Sequence, residues 1–484
     1  MFWVKVVPVN YSVLNHVLLS CLPSLIKERF SFRAVKIKIE LNLHGIFFFT
    51  HCVFQSVVKM FKMVHFSLTL ILLLSVLTPE SYEYYDTKGN ALFLSPYIES
   101  GQIEQGQTLA KVPPMLKNIE SFAGYVTSQH GDWKQKPLII WLAGGPGTSL
   151  AFPLFTEIGP FSVTKDQKLK RRKYSWNRRY NLLFFDQPVG TGFSFTKNET
   201  AYARNEADVS RDLYEALVQV FKLFPNFQRN KLIIAGESYA GKYVPALAYK
   251  IHNANKRSEF KIKISGLMIG NGFTDPINIV RYASYVHELG LVDAATRDKL
   301  AKIEAEFRAQ IRAGNLKEGV KSFRLLIEDI LDFSGPDGPE VQFMKDPKTR
   351  KAIHVGNNEF NNPSRTSELV QKDLLQSVEP WLEELLKTEE YPVFTLTSGH
   401  PVIAAYPLSV AFYDSLEWPH ASEYHTAKMC QFKVGAETAG YYKTAGTFTE
   451  VIVRNTGHMV PTTQPKWAFA LMDRFMINSS SFAC

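Results

Sequence analysis

Apolar residues along the chain fall into two patterns. Short apolar runs lie near 138–142, 181–185, 231–235, 264–269, 392–396 and 449–453. A run of that length without polar alternation suits a strand covered on both faces, as in a parallel sheet. Between the runs lie longer stretches with apolar residues three or four apart, such as Val209 to Leu223. That is the spacing of an amphipathic helix. Their alternation predicts an α/β fold built on a mostly parallel sheet. From 277 to 390 the strand signal fades. Ala294 to Ile330 is charged and amphipathic, with Leu300, Ile303, Phe307 and Ile311 at helical spacing. An insertion of helices there, ahead of the last strands, would sit over the carboxyl edge of the sheet as a cap of about 277–390. Gly and Pro are spread among turns and no repeat divides the chain, so residues 82–484 read as one domain carrying that cap.

The front of the chain follows other rules. Phe66 to Leu77 is almost wholly apolar and is preceded by Lys59 and Lys62. A basic edge, about a dozen apolar residues and a small-polar region make a signal peptide over 63–81, too short to span a bilayer comfortably. Yet 62 residues precede it. Either translation begins at Met60 or Met63 and 1–62 is a non-native upstream extension, or the segment is an internal anchor. Signal segments are read at the chain start, which favours the first. Residues 1–62 hold eight Lys/Arg against two Asp/Glu, so six of the nine net positive charges lie there. The remaining +3 gives no argument for nucleic acid as a partner.

One basic knot stands in the body, Lys168, Lys170, Arg171, Arg172 and Lys173. It reads as a solvated loop, with attraction for acidic partners or a protease-sensitive site as the functional alternative. Of four cysteines, Cys21 and Cys52 fall in the doubtful segment, leaving Cys430 and Cys484, which could pair in an oxidising compartment. No His/Cys/Glu cluster has metal-ligand spacing, so neither metal nor cofactor is expected. Asn198-Glu199-Thr200 and Asn478-Ser479-Ser480 are glycosylation acceptors if the chain enters the secretory pathway. Oligomeric state is left open.

Candidate chemistry centres on Gly236-Glu237-Ser238-Tyr239-Ala240-Gly241, directly after the apolar run 231–235. A strand feeding a small-residue turn with serine at its apex has the form of a nucleophile elbow, its hydroxyl exposed at the carboxyl edge of the sheet. Upstream, the run to Leu142 ends in Ala143-Gly144-Gly145-Pro146-Gly147. Consecutive glycines let backbone N–H groups converge on one point, which an oxyanion hole requires. His458 follows the last apolar run in a loop, and serine before histidine is the chain order of an α/β-hydrolase.

With these stand four further blocks. They are Phe185-Asp186-Gln187-Pro188-Val189-Gly190-Thr191-Gly192-Phe193-Ser194, Ile269-Gly270-Asn271-Gly272, Ala352-Ile353-His354-Val355 and Gly457-His458-Met459-Val460-Pro461. Together with Trp141 to Gly147 and Gly236 to Pro245, the chain resembles the serine carboxypeptidases, in particular their vitellogenic-carboxypeptidase-like branch. The resemblance runs from about 85 to 476. It implies an α/β-hydrolase fold with Ser238 as nucleophile and His458 as general base and acid. The amides of Gly145 and Tyr239 would hold the oxyanion. Gly144, Glu157 and Glu237 would grip the free carboxylate of a peptide's last residue. Two facing carboxyls cannot both ionise cheaply, so one would stay protonated and donate to that carboxylate, best in acid.

Two departures weigh against full activity. The family's aspartate falls on Pro401, or on Val402 after a one-residue slip, and no Asp or Glu occurs from 391 to 413. Removing that charge costs on the order of 10⁴ in rate in a serine-protease triad. The family's Asn in the Gly-Gly turn is Ala143 here, forfeiting a contact to a charged group worth roughly 1.5–3 kcal/mol. Asp414 and Glu417, the nearest downstream carboxylates, sit within the next helical pattern. The expectation is a secreted or lysosomal serine carboxypeptidase acting on peptide or protein C-termini at acid pH, slowed by the missing aspartate. The alternatives are an inactive relative that binds peptide or protein ligands, or an acyltransferase on the same fold.

Overall fold

Strands in the computed structural model form where the apolar runs lie, and the sheet they build aligns its carboxyl ends along one edge. The structure describes residues 91–112, 119–122, 126–129, 136–328, 338–361, 369–370, 373–398, 404–477 and 482. All belong to one of the two units into which the chain divides. The expected extension at 1–62, the signal peptide at 63–81, Pro401, Val402 and Asn478 lie outside the described residues.

In chain order the strands are β1 (Lys111–Val112), β2 (Ile119–Phe122), β3 (Val126–Gln129), β4 (Leu138–Leu142), β5 (Phe161–Val163), β6 (Leu169–Arg171) and β7 (Asn181–Phe184). There follow β8 (Leu232–Glu237), β9 (Ile264–Gly270), β10 (Val393–Ser398), β11 (Cys430–Val434), β12 (Glu437–Ala445) and β13 (Phe448–Val453). Eleven make one sheet in the order β1-β2-β3-β7-β4-β8-β9-β10-β13-β12-β11, and β5 pairs with β6 apart from it. The central six, β7 to β13 in that order, are parallel throughout. The flanking strands on both sides are antiparallel.

Alternation within each central strand supplies two cores. Leu138, Ile140, Leu142, Ile234, Leu267 and Val393 face one layer, while Ile139, Trp141, Ile233, Met268 and Phe394 face the other. Three long helices cover the sheet: α1 (Glu206–Leu223) and α2 (Ala240–Arg257) on the first face, α6 (Pro465–Ile477) on the second. Because both faces are covered, the strands are apolar at most positions, which is why they were legible as apolar runs; buried Thr395, Thr397 and Glu450 are polar exceptions in β10 and β13.

From 276 to 352 the described residues are helical apart from short connections. Among these helices α3 (Ala294–Arg312) and α4 (Leu316–Glu328) form a hairpin. Phe323 packs on Phe307 at 6.0 Å and on Phe273 at 5.5 Å between ring centroids, which seats the hairpin beside the carboxyl end of β9. A shorter helix, α5 (Tyr406–Tyr413), follows β10. Cys430 is in a disulfide, and the other three cysteines lie outside the described residues.

Candidate active site

β7 lies on one side of β4 and β8 on the other, so the winding of the sheet reverses at β4. A crevice outside the carboxyl ends of the strands is expected at such a point. The registers Leu142↔Gly236, Glu237↔Gly270 and Leu396↔Gly270 bring the ends of β4, β8, β9 and β10 level there.

Ser238 stands between β8 and α2 with φ +65°, in the left-handed region. A non-glycine residue there costs roughly 1–2 kcal/mol. The reversal is therefore absorbed by the serine itself and not by the flanking glycines. Those glycines serve close approach instead. A Cβ on Gly236 would stand 2.5 Å from Leu142 O, and one on Gly241 would stand 2.6 Å from Phe273 N. The strain is held by hydrogen bonds on both sides: Ser238 N donates to Gly270 O at 2.9 Å, and Ser238 O accepts from Gly241 N and Phe273 N, both at 2.9 Å. Ser238 itself stays half-buried.

The Gly-Gly turn lies directly against the elbow. A Cβ on Gly144 would fall 2.6 Å from Glu237 O, 2.7 Å from Tyr239 N and 2.8 Å from Ser238 Cβ. Gly145 has φ +110° and Gly147 φ +83°, backbone that only glycine adopts freely. Asp186, in the loop after β7, ties this turn down. Its carboxylate accepts from Ser149 Oγ (2.7 Å), Leu150 N (2.9 Å) and Phe193 N (2.9 Å). Sequence reasoning quoted Asp186 within a motif but gave it no role.

Glu157 and Glu237, eighty positions apart, meet as a buried pair. Glu237 Oε1 accepts from Val460 N at 3.1 Å. The Oε2 atoms of both glutamates and the Trp141 indole N–H make no hydrogen bond of good geometry, yet the two carboxyls and the indole are close enough to set one another's charge. Burial pushes the Glu157 carboxyl up to about 7, against the opposing pull of Glu237, Trp141 and Arg172. Burial, then the charge of Glu157, pushes Glu237 well above the ordinary carboxyl range, and the Val460 N–H pulls it back. The pair thus keeps at least one proton through the acid range.

Arg172 corrects the solvated-loop expectation. Lys168, Lys170, Arg171 and Lys173 are exposed, but Arg172 turns inward and donates to Glu157 O at 2.5 Å and Phe155 O at 3.3 Å. Nothing in a uniform basic run marks one member for this.

His458 is half-buried in the loop after β13. Its carbonyl accepts from Asn271 Nδ2 at 2.6 Å, and two residues on, Val460 N meets Glu237. The loop is thereby pinned to the strand that bears the elbow. Asp414 is engaged elsewhere: it ends α5 and lies 3.4 Å from His425.

Behind the elbow, in the first core layer, Lys242 on α2 is fully buried. Its Nζ donates to Asp373 O and stands 3.7 Å from Asp373 Oδ2. Glu206, at the start of α1, lies within their field and is pushed up to about 8 by burial, with Lys242 opposing. Among the described residues no group of three His, Cys, Asp or Glu side chains could hold a metal, and no helix is long and apolar enough to cross a membrane.

The serine carboxypeptidase family model matches residues 118–326 and 336–478. This chain belongs to the serine carboxypeptidase family. It is 40% identical over 429 residues to the venom serine carboxypeptidase of Apis mellifera, covering 81% of this chain and 91% of that one. The vitellogenic carboxypeptidase of Aedes aegypti is 37% identical over 427 residues, covering 80% and 90%. A probable serine carboxypeptidase of Homo sapiens is 37% identical over 429 residues with the same coverage. These matches bear out the family and the vitellogenic-like branch. The crystal structure of a prohormone-processing carboxypeptidase from Saccharomyces cerevisiae superposes with a TM-score of 0.64 at 23% identity, covering 74% of this chain and 87% of that one. That likeness speaks for the α/β-hydrolase fold of this carboxypeptidase.

Proposed function

We propose that this carboxypeptidase releases single C-terminal residues from peptides through an acyl-enzyme on Ser238. The observation that carries the proposal is the buried Glu157–Glu237 pair beside the elbow, which retains a proton where a peptide's terminal carboxylate would arrive. A protonated carboxyl donates to that carboxylate, whereas an ionised pair repels it. Ser238 Oγ attacks the last peptide carbonyl and its proton passes to His458. The amides of Gly145 and Tyr239 receive the oxyanion, and Gly144 joins Glu157 and Glu237 in holding the terminal carboxylate. His458 then gives the proton to the leaving amino group, and water, activated in the same way, releases the shortened peptide.

Binding weakens as pH rises through the raised carboxyl values, so the enzyme favours acid. With no carboxylate between 391 and 413 to orient the imidazole, turnover is slowed by up to about four orders of magnitude relative to an intact triad. Ala143 weakens the hold on the terminal carboxylate further. The helices from 276 to 352 would shape the pocket for the preceding side chains.

The apolar segment 63–81 supports entry to the secretory pathway and a secreted or lysosomal location. Asn198 is exposed in a turn, accepting from Thr200 Oγ1 at 2.8 Å, which suits an accessible glycosylation acceptor. The same absence of a carboxylate favours a second reading, a ligand-binding relative that retains the pocket.

Turnover of an N-blocked dipeptide between about pH 4 and 7, with Ser238→Ala as the matched control, tests the proposal. Cleavage above that control, with KM rising toward neutral pH, is expected. Equal rates for the two folded proteins would overturn catalysis and leave binding.

A further inference from the structure

The carboxyl end of β10 and the histidine loop converge on a single side chain at the end of β9, Asn271. It is fully buried and sits one residue past β9 with φ +39°, a conformation asparagine tolerates better than most residues. Its backbone N donates to Leu396 O at 2.7 Å. Its Oδ1 accepts from Ser398 N (2.9 Å) and Ser398 Oγ (3.0 Å). Its Nδ2 donates to His458 O at 2.6 Å. The neighbouring backbone, Gly270 O and Phe273 N, holds Ser238 from both sides at 2.9 Å. One four-residue segment is therefore hydrogen-bonded to the main chain of Ser238 and of His458 together. The segment is also rigidly seated, since Gly241 of α2 approaches Phe273 N and Gly272 Cα so closely that a Cβ would stand 2.6 and 2.7 Å from them.

We infer that Asn271 is a positioning residue for the reaction: it fixes His458 relative to Ser238 through the histidine's main chain. The inference rests on the catalytic roles proposed above for Ser238 and His458. Asparagine suits the place because it must accept twice and donate once. An aspartate could accept from Ser398 but would face the His458 carbonyl oxygen with a second acceptor, unless protonated. Alanine would release both the loop and the end of β10. The titratable groups on this side are His458 itself, Glu237, whose side chain lies against Gly270, and Glu157 beyond it. They are shared with the unsubstituted protein, so their titration cancels in the comparison.

The test uses the full chain, Asn271→Ala and Asn271→Asp, with two readouts. The first is hydrogen exchange in the peptide spanning 454–463, which needs no activity. The expected result is exchange at least tenfold faster in Asn271→Ala, and in Asn271→Asp at pH 7.5 but not at pH 4.5. The second is the rate at which a fluorophosphonate labels Ser238. Asn271→Asp should label at the unsubstituted rate at pH 4.5 and about tenfold more slowly at pH 7.5, while Asn271→Ala is slow at both. Where a dipeptide is turned over, kcat should fall in Asn271→Ala with KM within twofold. If the unsubstituted chain labels no faster than Ser238→Ala, the catalytic proposal fails, and with it the catalytic half of this inference; the exchange experiment then decides the anchoring alone. Exchange or labelling unchanged by both substitutions at every pH overturns Asn271 as the positioning residue.

Discussion

Replacing Glu157 with glutamine should remove a measurable part of the pH dependence of stability. Burial raises the Glu157 carboxyl from 4.5 to about 7 in the folded protein. A raised acid binds its proton more tightly folded than unfolded, so its contribution is whole below about pH 4.5 and is lost as pH rises through 7. Each pH unit in that window is worth about 1.4 kcal/mol, giving a total of about 3 kcal/mol. Glutamine keeps the shape, can accept from the Trp141 indole and can donate to Glu237, but does not titrate. The two proteins should therefore differ little near pH 4.5, with Glu157→Gln gaining about 3 kcal/mol on the unsubstituted chain by pH 7.5. For a domain of about 400 residues, at about 2.1 cal/mol/K per residue, this is a divergence in Tm of about 4 °C. Calorimetry at pH 4.5, 5.5, 6.5 and 7.5, at constant ionic strength, follows it directly. Glu237→Gln should behave alike, and the double substitution should give less than the sum because the two carboxyls titrate as a pair. Tm curves running parallel across that range for Glu157→Gln and the unsubstituted chain would refute the buried, proton-sharing pair and the carboxylate-binding argument built on it.

Three other substitutions probe separate parts of the site. Gly144→Ala would press a methyl group to within 2.8 Å of Glu237 O, Tyr239 N and Ser238 Cβ; the strain should cost about 1–3 kcal/mol and abolish fluorophosphonate labelling of Ser238, and labelling at an unchanged rate would contradict the close packing of turn on elbow. Asp186→Asn keeps the size but replaces one of the carboxylate oxygens that accept from Ser149, Leu150 and Phe193. It should lower stability to urea by about 1–3 kcal/mol, whereas a midpoint equal to the unsubstituted chain's would show that the loop does not depend on it. Lys242→Met strips the buried cation from beside Asp373 and Glu206, at a cost of about 3–5 kcal/mol in urea melts at pH 8. The loss should shrink at pH 5, where Glu206, pushed up to about 8, is already neutral; a loss equal at both pH values would rule out the ionic account.

What could be read from the chain and what could not divide by the range of the interactions involved. The central strands were legible because burial on both faces favours apolar residues at most positions. β2, β3, β11 and β12 were not, since their sequences mix polar and apolar residues in the way half-exposed strands and loops both do. Ser238, Gly144 and Gly145 were legible because a strained turn and a close backbone approach restrict residue type locally. Glu157 reached its partner only through family likeness, and Arg172 was hidden inside a basic run. Asn271 shows the limit most clearly. Its carbonyl contact lies 187 positions away, at His458, and its acceptor contact 127 positions away, at Ser398. Neither leaves a local trace, because an asparagine after a strand is an ordinary turn residue. The absence of Asp and Glu from 391 to 413, by contrast, is visible in the sequence as a missing residue type. A missing residue type does not report whether the loop that carries the histidine has been released. Here that loop is held from Asn271 and from Glu237, on the two neighbouring strands that also hold Ser238. The spacing of the two main chains is thereby set by hydrogen bonds to the main chain of the histidine loop.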